Sequence, residues 1–389
     1  MDNSAARLLP PGTICLSRTA SVGYSFVLGD TMATSQDFVN WVCSDEIVPD
    51  FLMYAFMAEG EGLKSFGQGT THTTIYYPEV KALHLCHPPT NEQRRIVARI
   101  EELFSRLDAG VGALRHAKAQ LQRYRQSVLA AAVTGQLTQT WREKHPHIEP
   151  ASVVINRTQA PPRPNRYKTR SRAIQQGHPA LSIGNPGTTL PKGWVWAQLV
   201  EIARMESGHT PSRNHPEWWA GDIPWIGITD AREHHGKIIQ TTFQHTNEEG
   251  LANSASRLLP AGTVCISRTA SVGYVTVMGR DMATSQDFVN WTPTEAVSSD
   301  WLRVVFQADT EGLRSFGSGS VHKTIYFPEW LSMHAAIPPR AEQHQIVAEV
   351  EARTTAIDHL EAELDRQITR SSRLRQSTLA AAFSGNLTA

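Results

Sequence analysis

The side chains of this chain that could do chemistry come in pairs set 250 positions apart. Arg18, Ser21, Gln36, Lys64 and His72 are answered by Arg268, Ser271, Gln286, Arg314 and His322, each set among glycines and aromatics. Arginine and glutamine can bond base edges bidentately, whereas serine, lysine and backbone N–H groups suit phosphates. Any single pair also has a structural reading: the arginine braces a turn and the glutamine satisfies buried backbone. As a set, repeated donors of this kind point to DNA contact. Arg213 and Lys323 in the second copy join them. Trp218 and Trp219 rank lower, as core or loop anchors.

Signatures of catalysis are missing. No GxxxxGK[ST] phosphate loop occurs, no GxGxxG opens a helix, and HExxH and GxSxG are absent. Gly236-Lys237 is followed by isoleucines, not Ser or Thr. The repeat supplies an internal control. His84, Cys86 and His87 of HLCHPP suggest a metal, yet the matching HAAIPP keeps only His334, so ordinary surface and core roles explain them. Cys15 and Cys265 match each other inside apolar strands, where a free cysteine is a small hydrophobe. The serines of SRTASVG have no recognisable base and orienting acid. The expectation is a non-catalytic chain without a metal.

These side chains must be positioned by a duplicated domain. Asn3–Thr138 aligns with Asn253–Thr388 without a gap, with about half of the positions identical. The match is densest over Asn3–Asn40 and returns at RYRQSVLAAAVTGQLT against RLRQSTLAAAFSGNLT. The second copy is preceded by LPKGWVWAQL and the sequence up to Ala252, roughly sixty residues that the first copy would need before Met1. The first domain is therefore expected to be incomplete, through a misplaced start or a true truncation. Five segments follow: 1–89, the back part of a first globular domain; 90–138, a helix; 139–189, a Pro-, Gly- and base-rich linker whose basic stretch runs from Arg163 to Arg172; 190–339, a complete domain; and 340–389, a second helix.

The globular parts read as mixed and β-rich, with GTVCISR, YVTVMG and DIPWIGI as short strands. Ile100, Leu103, Leu107, Gly110, Leu114, Ala117, Leu121, Tyr124 and Val128 trace a heptad seam along the first helix. The second helix keeps Val350, Ile357, Leu360, Leu364 and Leu374 in register but places Arg353, Gln367 and Ser371 there too. Two imperfectly apolar helices separated by a long domain most simply pair antiparallel. The fold class expected is α+β.

At 389 residues the chain calls for more than one core. Lys plus Arg and Asp plus Glu both number 37, so any nucleic-acid contact must rest on a local basic face. No apolar run approaches a membrane span, MDNSAARLLPPG is no signal peptide, and four cysteines show no paired framework. A cytoplasmic setting fits.

Taken in order, LPKGWVWAQL, GHTPSR, WW and DIPWI, SRTASVGY and ATSQDF, then PPRAEQHQIV opening a long helix that ends LAAAFSGNLT, the sequence resembles the specificity subunit of type I restriction–modification enzymes. PPTNEQRRIV and PPRAEQHQIV supply the helix start twice. The resemblance implies two target-recognition domains, the first incomplete here, joined by two long helices in an antiparallel coiled coil. Each domain reads half of a bipartite site in double-stranded DNA. The helices set the spacing, being about 60 Å long at about 1.5 Å per residue. They also dock methyltransferase subunits. Restriction subunits complete the nuclease, and S-adenosylmethionine belongs to the methyltransferase, so this chain carries no cofactor. A truncated, inactive or half-type subunit, a coiled-coil scaffold binding only protein, and a hydrolase using GHTPSR or SVHKT are the alternatives. DNA contacts are expected at Arg213, Arg268, Ser271, Gln286, His322 and Lys323, with Arg18, Gln36, Lys64 and His72 in the first copy.

Overall fold

A computed structural model describes residues 6–19, 21–68, 73–162, 174–177, 180–269, 271–319 and 323–387. The chain divides into two compact units, Met1–Gln120 with Leu360–Ala389, and Leu121–His359. Each unit therefore holds part of both long helices, Thr90–Val133 and Arg340–Phe383. No described helix is long and apolar enough to cross a membrane.

In the first unit Ile14–Ser17 forms the middle of a three-stranded antiparallel sheet, with Ser25–Val27 on one side and Phe38–Trp41 on the other. The repeat is kept in register: Ile14 faces Val27 and Trp41, as Val264 faces Val277 and Trp291 in the second unit. Two further strands lengthen the second sheet, Ala203–Ser207 beside Phe288–Pro293 and Ile238–Ile239 beside Val275–Met278. They come from the segment unique to the second copy and have no equivalent among the described residues of the first unit. A second sheet there joins Gln175–Gln176, Leu181–Ile183, Met333–Ile337 and Val195–Gln198. A third joins Gln244–Thr246, Ile223–Ile226 and Ala283–Thr284.

The twice-written PP-x-x-EQ has a physical cause. Gln93 and Gln343 are fully buried. Gln93 Oε1 accepts the Val48 N–H at 2.8 Å, and its Nε2 donates to Glu46 O and Pro88 O, both at 2.8 Å. Gln343 repeats this with Ser298 N–H at 2.9 Å, Ala296 O at 3.1 Å and Pro338 O at 3.0 Å. One amide thus ties the start of each long helix to its domain and satisfies backbone that burial would orphan.

The long helices pair antiparallel. Within the first unit Asp108 meets Arg375 at 2.9 Å and Lys118 meets Asp365 at 2.6 Å, so one number rises by ten as the other falls by ten. Within the second unit Arg125 meets Asp358 at 2.6 Å. The seam of the first helix keeps Leu103 and Ala117 half-buried as expected and departs from expectation at Gly110 and Tyr124. Gly110 and Tyr124 are exposed, whereas Val111 and Arg125 are half-buried. Leu360 and Leu374 are likewise exposed, and Glu361 and Arg375 are half-buried. The inward arginines are tolerated because their stems pack while their heads find aspartates, Arg125 on Asp358 and Arg375 on Asp108.

Where the sequence suggests a linker over 139–189, the described residues form helices Gln139–Lys144 and Ala151–Arg157 and the strands above. Ala151, Val154, Leu181 and Ile183 enter the core of the second unit. Pro- and Gly-rich composition masked short apolar runs that a neighbouring sheet can bury. The basic stretch from Arg163 to Arg172 lies outside the described residues.

Candidate nucleic-acid interface

In the second unit the loop after Val264–Ser267 carries Arg268. Its backbone N–H donates to Asp287 O at 2.7 Å and its carbonyl accepts the Ile325 N–H at 2.9 Å. Its Nε donates to Gln286 O at 3.2 Å, and its guanidinium lies 4.7 Å from the centre of the Phe327 ring. Thr269 and Thr324 share a hydroxyl hydrogen bond of 2.6 Å beneath it. The first unit builds the same brace: Arg18 Nε donates to Gln36 O at 3.1 Å, Arg18 stands 5.0 Å from the Tyr77 ring, and Thr19 bonds Thr74 at 2.8 Å. Ser271 closes the turn through its N–H to Thr269 O at 2.6 Å, and its carbonyl accepts the Ser267 hydroxyl at 2.5 Å.

The Gln286 side chain is exposed and accepts the Thr210 hydroxyl. That contact depends on Gly208. A Cβ there would lie 2.0 Å from Ser285 O, so only glycine lets the 208–213 loop lie against 284–288. The His209 N–H then donates to Thr284 O at 2.9 Å. Further along the loop, exposed Arg213 stacks 3.6 Å from the Trp219 ring centre and donates to Gln244 Oε1 at 2.8 Å. Trp219 meets Trp225 edge-on at 5.0 Å, and their indole N–H groups donate to Ser212 O and His209 O. Exposed Phe243 precedes Gln244.

The structure therefore brings Arg213, Gln286 and Arg268 onto one connected surface of the second unit. Gln286 is the node, bonded through its side chain to Thr210 and through its backbone to Arg268. Lys323 is exposed one residue before Thr324. Arg314, exposed like its counterpart Lys64, lines a cleft with His235, Gln126 and Ser127. His235 is half-buried, accepts the Val275 N–H at 3.1 Å, and burial lowers its pKa. Gln36 is exposed in the first unit. His72 and His322 lie outside the described residues. Thr210, Gln244 and Phe243 escape sequence reasoning. GHTPSR hints at the first, while Gln244 and Phe243 sit in an unremarkable polar stretch.

His84 of the HLCHPP stretch bonds Ala82 O at 2.7 Å. Burial raises the thiol pKa of both Cys15 and Cys265, the state of an inert core cysteine.

A sheet domain repeated on a second copy, each ending in a long helix of an antiparallel pair, is the fold of type I restriction–modification specificity subunits. A solved chain from a type I R-M system, described for its complex assembly and conformational transition, shares it with a TM-score of 0.72 at 18% identity, over 99% of this chain and 85% of that one. The HsdS subunit from Thermoanaerobacter tengcongensis shares it with a TM-score of 0.56 at 19% identity, over 99% and 84%.

The chain belongs to the type I restriction modification DNA specificity domain family, whose model matches residues 1–111 and 191–370. It is 30% identical over 159 residues to the MjaIX specificity subunit of Methanocaldococcus jannaschii, covering 40% of this chain and 37% of that protein. With the Haemophilus influenzae HindI specificity subunit it shares 27% identity over 132 residues, covering 33% and 28%. With the Escherichia coli EcoDI specificity subunit it shares 23% over 356 residues, covering 88% and 71%. The chain thus spans well under half the length of the first two relatives.

Proposed function

We propose that this chain is the non-catalytic DNA-reading subunit of a type I restriction–modification complex. The observation that carries the reading is the polar surface of the second unit. Arg213 is held by Trp219 and Gln244, while Gln286 presents its side chain beside Thr210 over the Arg268 brace. Preorganised donors of these types on an exposed face suit base edges, and Lys323 suits a phosphate. Arg268 and Ser271 position this surface, and Arg18, Gln36 and Lys64 form its counterpart in the first unit. His72 and His322 are assigned by the repeat alone. The partners are double-stranded DNA, methyltransferase subunits that bring S-adenosylmethionine, and restriction subunits. No cofactor belongs to this chain, and the setting is the cytoplasm.

The test is co-expression with the neighbouring methyltransferase subunit in a methylation-free host, followed by sequencing with modification detection. A new bipartite methyladenine motif, absent when this chain is omitted, is the expected result. A motif unchanged by its omission refutes the proposal.

A further inference from the structure

Phe243 is 66% exposed, and no other large apolar side chain among the described residues of the second unit is more so. A lone apolar residue on a surface is ordinary. What holds this one, and what stands beside it, is not. The carboxylate of Asp230, itself buried, accepts the Phe243 N–H at 2.8 Å through Oδ1 and the Gly227 N–H at 2.9 Å through Oδ2. Buried Thr242 accepts the Trp225 N–H at 3.0 Å and donates its hydroxyl to Gln244 O at 2.6 Å. Gln244 then pairs with Trp225 across the antiparallel strands Gln244–Thr246 and Ile223–Ile226. A buried carboxylate and a buried hydroxyl thus fix the backbone under a ring that is left in solvent. A turn ordered in advance loses little freedom when the ring meets a ligand. The next side chain is that of Gln244, whose Oε1 accepts from Arg213 at 2.8 Å, and Arg213 in turn stacks on Trp219.

We propose that Phe243 is a specificity-determining residue that reads the C5-methyl group of a thymine in the major groove, an inference that rests on the DNA-reading function proposed above. Thymine alone among the four bases presents a methyl group there, and a phenyl ring is a side chain that meets it. The arginine fork and the glutamine amide beside it suit purine edges in the same groove. Consecutive Cα atoms stand about 3.8 Å apart and stacked base pairs about 3.4 Å, so residues 243 and 244 meet the same pair or neighbouring ones. A methyl contact needs only the exposed face of the ring, whereas insertion between bases must offset their lost stacking.

The experiment titrates the full chain, with the proposed methyltransferase subunit, onto the duplex carrying its methylated motif and follows fluorescence anisotropy. Each thymine of the motif is replaced singly by deoxyuridine, which removes the methyl group and keeps every hydrogen bond. One replacement should weaken binding about fourfold, the factor expected for one buried methyl group. Phe243→Ala should bind the thymine duplex at least that much more weakly and no longer distinguish it from the deoxyuridine form. The bond to Asp230 runs through the backbone N–H of residue 243, so the variant keeps the fold, which unchanged thermal melting verifies. Binding unchanged by every replacement, or a thymine preference that persists in Phe243→Ala, overturns the inference. A Phe243-dependent rise in the fluorescence of 2-aminopurine placed in the motif, the sign of unstacking, does so too. In these cases a preference for cognate over scrambled duplex leaves DNA reading standing, and loss of that preference in the parent complex overturns both.

Discussion

Replacing Arg213 by alanine separates the chemistry assigned to the second unit's surface from a merely structural role. The guanidinium is exposed and held by two contacts, 3.6 Å to the Trp219 ring centre and 2.8 Å to Gln244 Oε1. Losing an exposed cation–π contact costs about 0.5–1 kcal/mol, so melting should move by only a few degrees. If Arg213 reads a base, its loss removes about 1–3 kcal/mol of discrimination, or roughly 5- to 150-fold in affinity for the cognate duplex. The salt dependence then keeps its slope, because no phosphate contact is gone. If Arg213 holds a phosphate, affinity falls for all sequences alike and the slope drops by about 0.9. The assay is fluorescence anisotropy of the chain with the proposed methyltransferase subunit, on cognate and scrambled duplexes, between about 50 and 200 mM salt. Arg213→Lys divides the cases further, since lysine keeps the charge but not the planar fork. Affinity within twofold of the parent on both duplexes at every salt concentration would refute the reasoning.

Three further outcomes follow from the geometry. Gln343→Ala leaves one N–H and two carbonyls of the second unit buried without their amide, a loss of about 2–4 kcal/mol. Calorimetry should show its transition lowered by roughly 5–15 °C, with Gln93→Ala acting in the same way on the first unit. Gly208→Ala places a Cβ 2.0 Å from Ser285 O and must push Thr210 off Gln286, so cognate binding should fall in the same anisotropy assay while the far-ultraviolet dichroism stays constant. Glu342 is buried against Thr138, Trp194 and Arg142, and desolvation raises its pKa above the ordinary 4.5. The folded state therefore favours the protonated acid, a stabilisation present below 4.5 and lost as pH rises through the folded value. The melting difference between the parent and Glu342→Gln should shift against the parent from acid toward neutral pH, and a difference constant over that range contradicts the assignment.

Much of the fold is legible because the chain writes it twice. The offset of 250 carries Ile14–Ser17 onto Val264–Ser267 with the same strand partners, and both long helices begin at the expected prolines. The seam is legible at Ile100, Leu103, Leu107, Leu114, Ala117, Leu121 and Val128 and misleading at Gly110 and Tyr124. Heptad spacing favours Gly110 and Tyr124, yet Val111 and Arg125 take the half-buried places, and Asp358 meets the charge of Arg125 there. The buried role of Gln93 and Gln343 is invisible in sequence, where a glutamine at a helix start looks solvated.

Within the candidate interface, repeated and unrepeated side chains play different parts. Three kinds of side chain that recur in both copies make the same internal contacts. Arg18 and Arg268 bond the backbone of Gln36 and Gln286, Thr19 and Thr269 bond Thr74 and Thr324, and Asn40 and Asn290 bond Thr34 and Thr284. Recurrence here marks a framework, since a donor spent on the protein's own backbone has less to offer a ligand. The groups with exposed donors and acceptors, Arg213, Gln244 and the Gln286 amide, depend on the 208–246 segment, which has no counterpart in the described first unit. Discrimination between DNA sequences should therefore follow exchanges within 208–246, while exchanges at Arg268 or Thr269 should lower stability and affinity together. Grafting 208–246 from a relative of different specificity, with the brace untouched, should change the methylated half-site. An unchanged motif after that graft would return the reading role to the repeated residues.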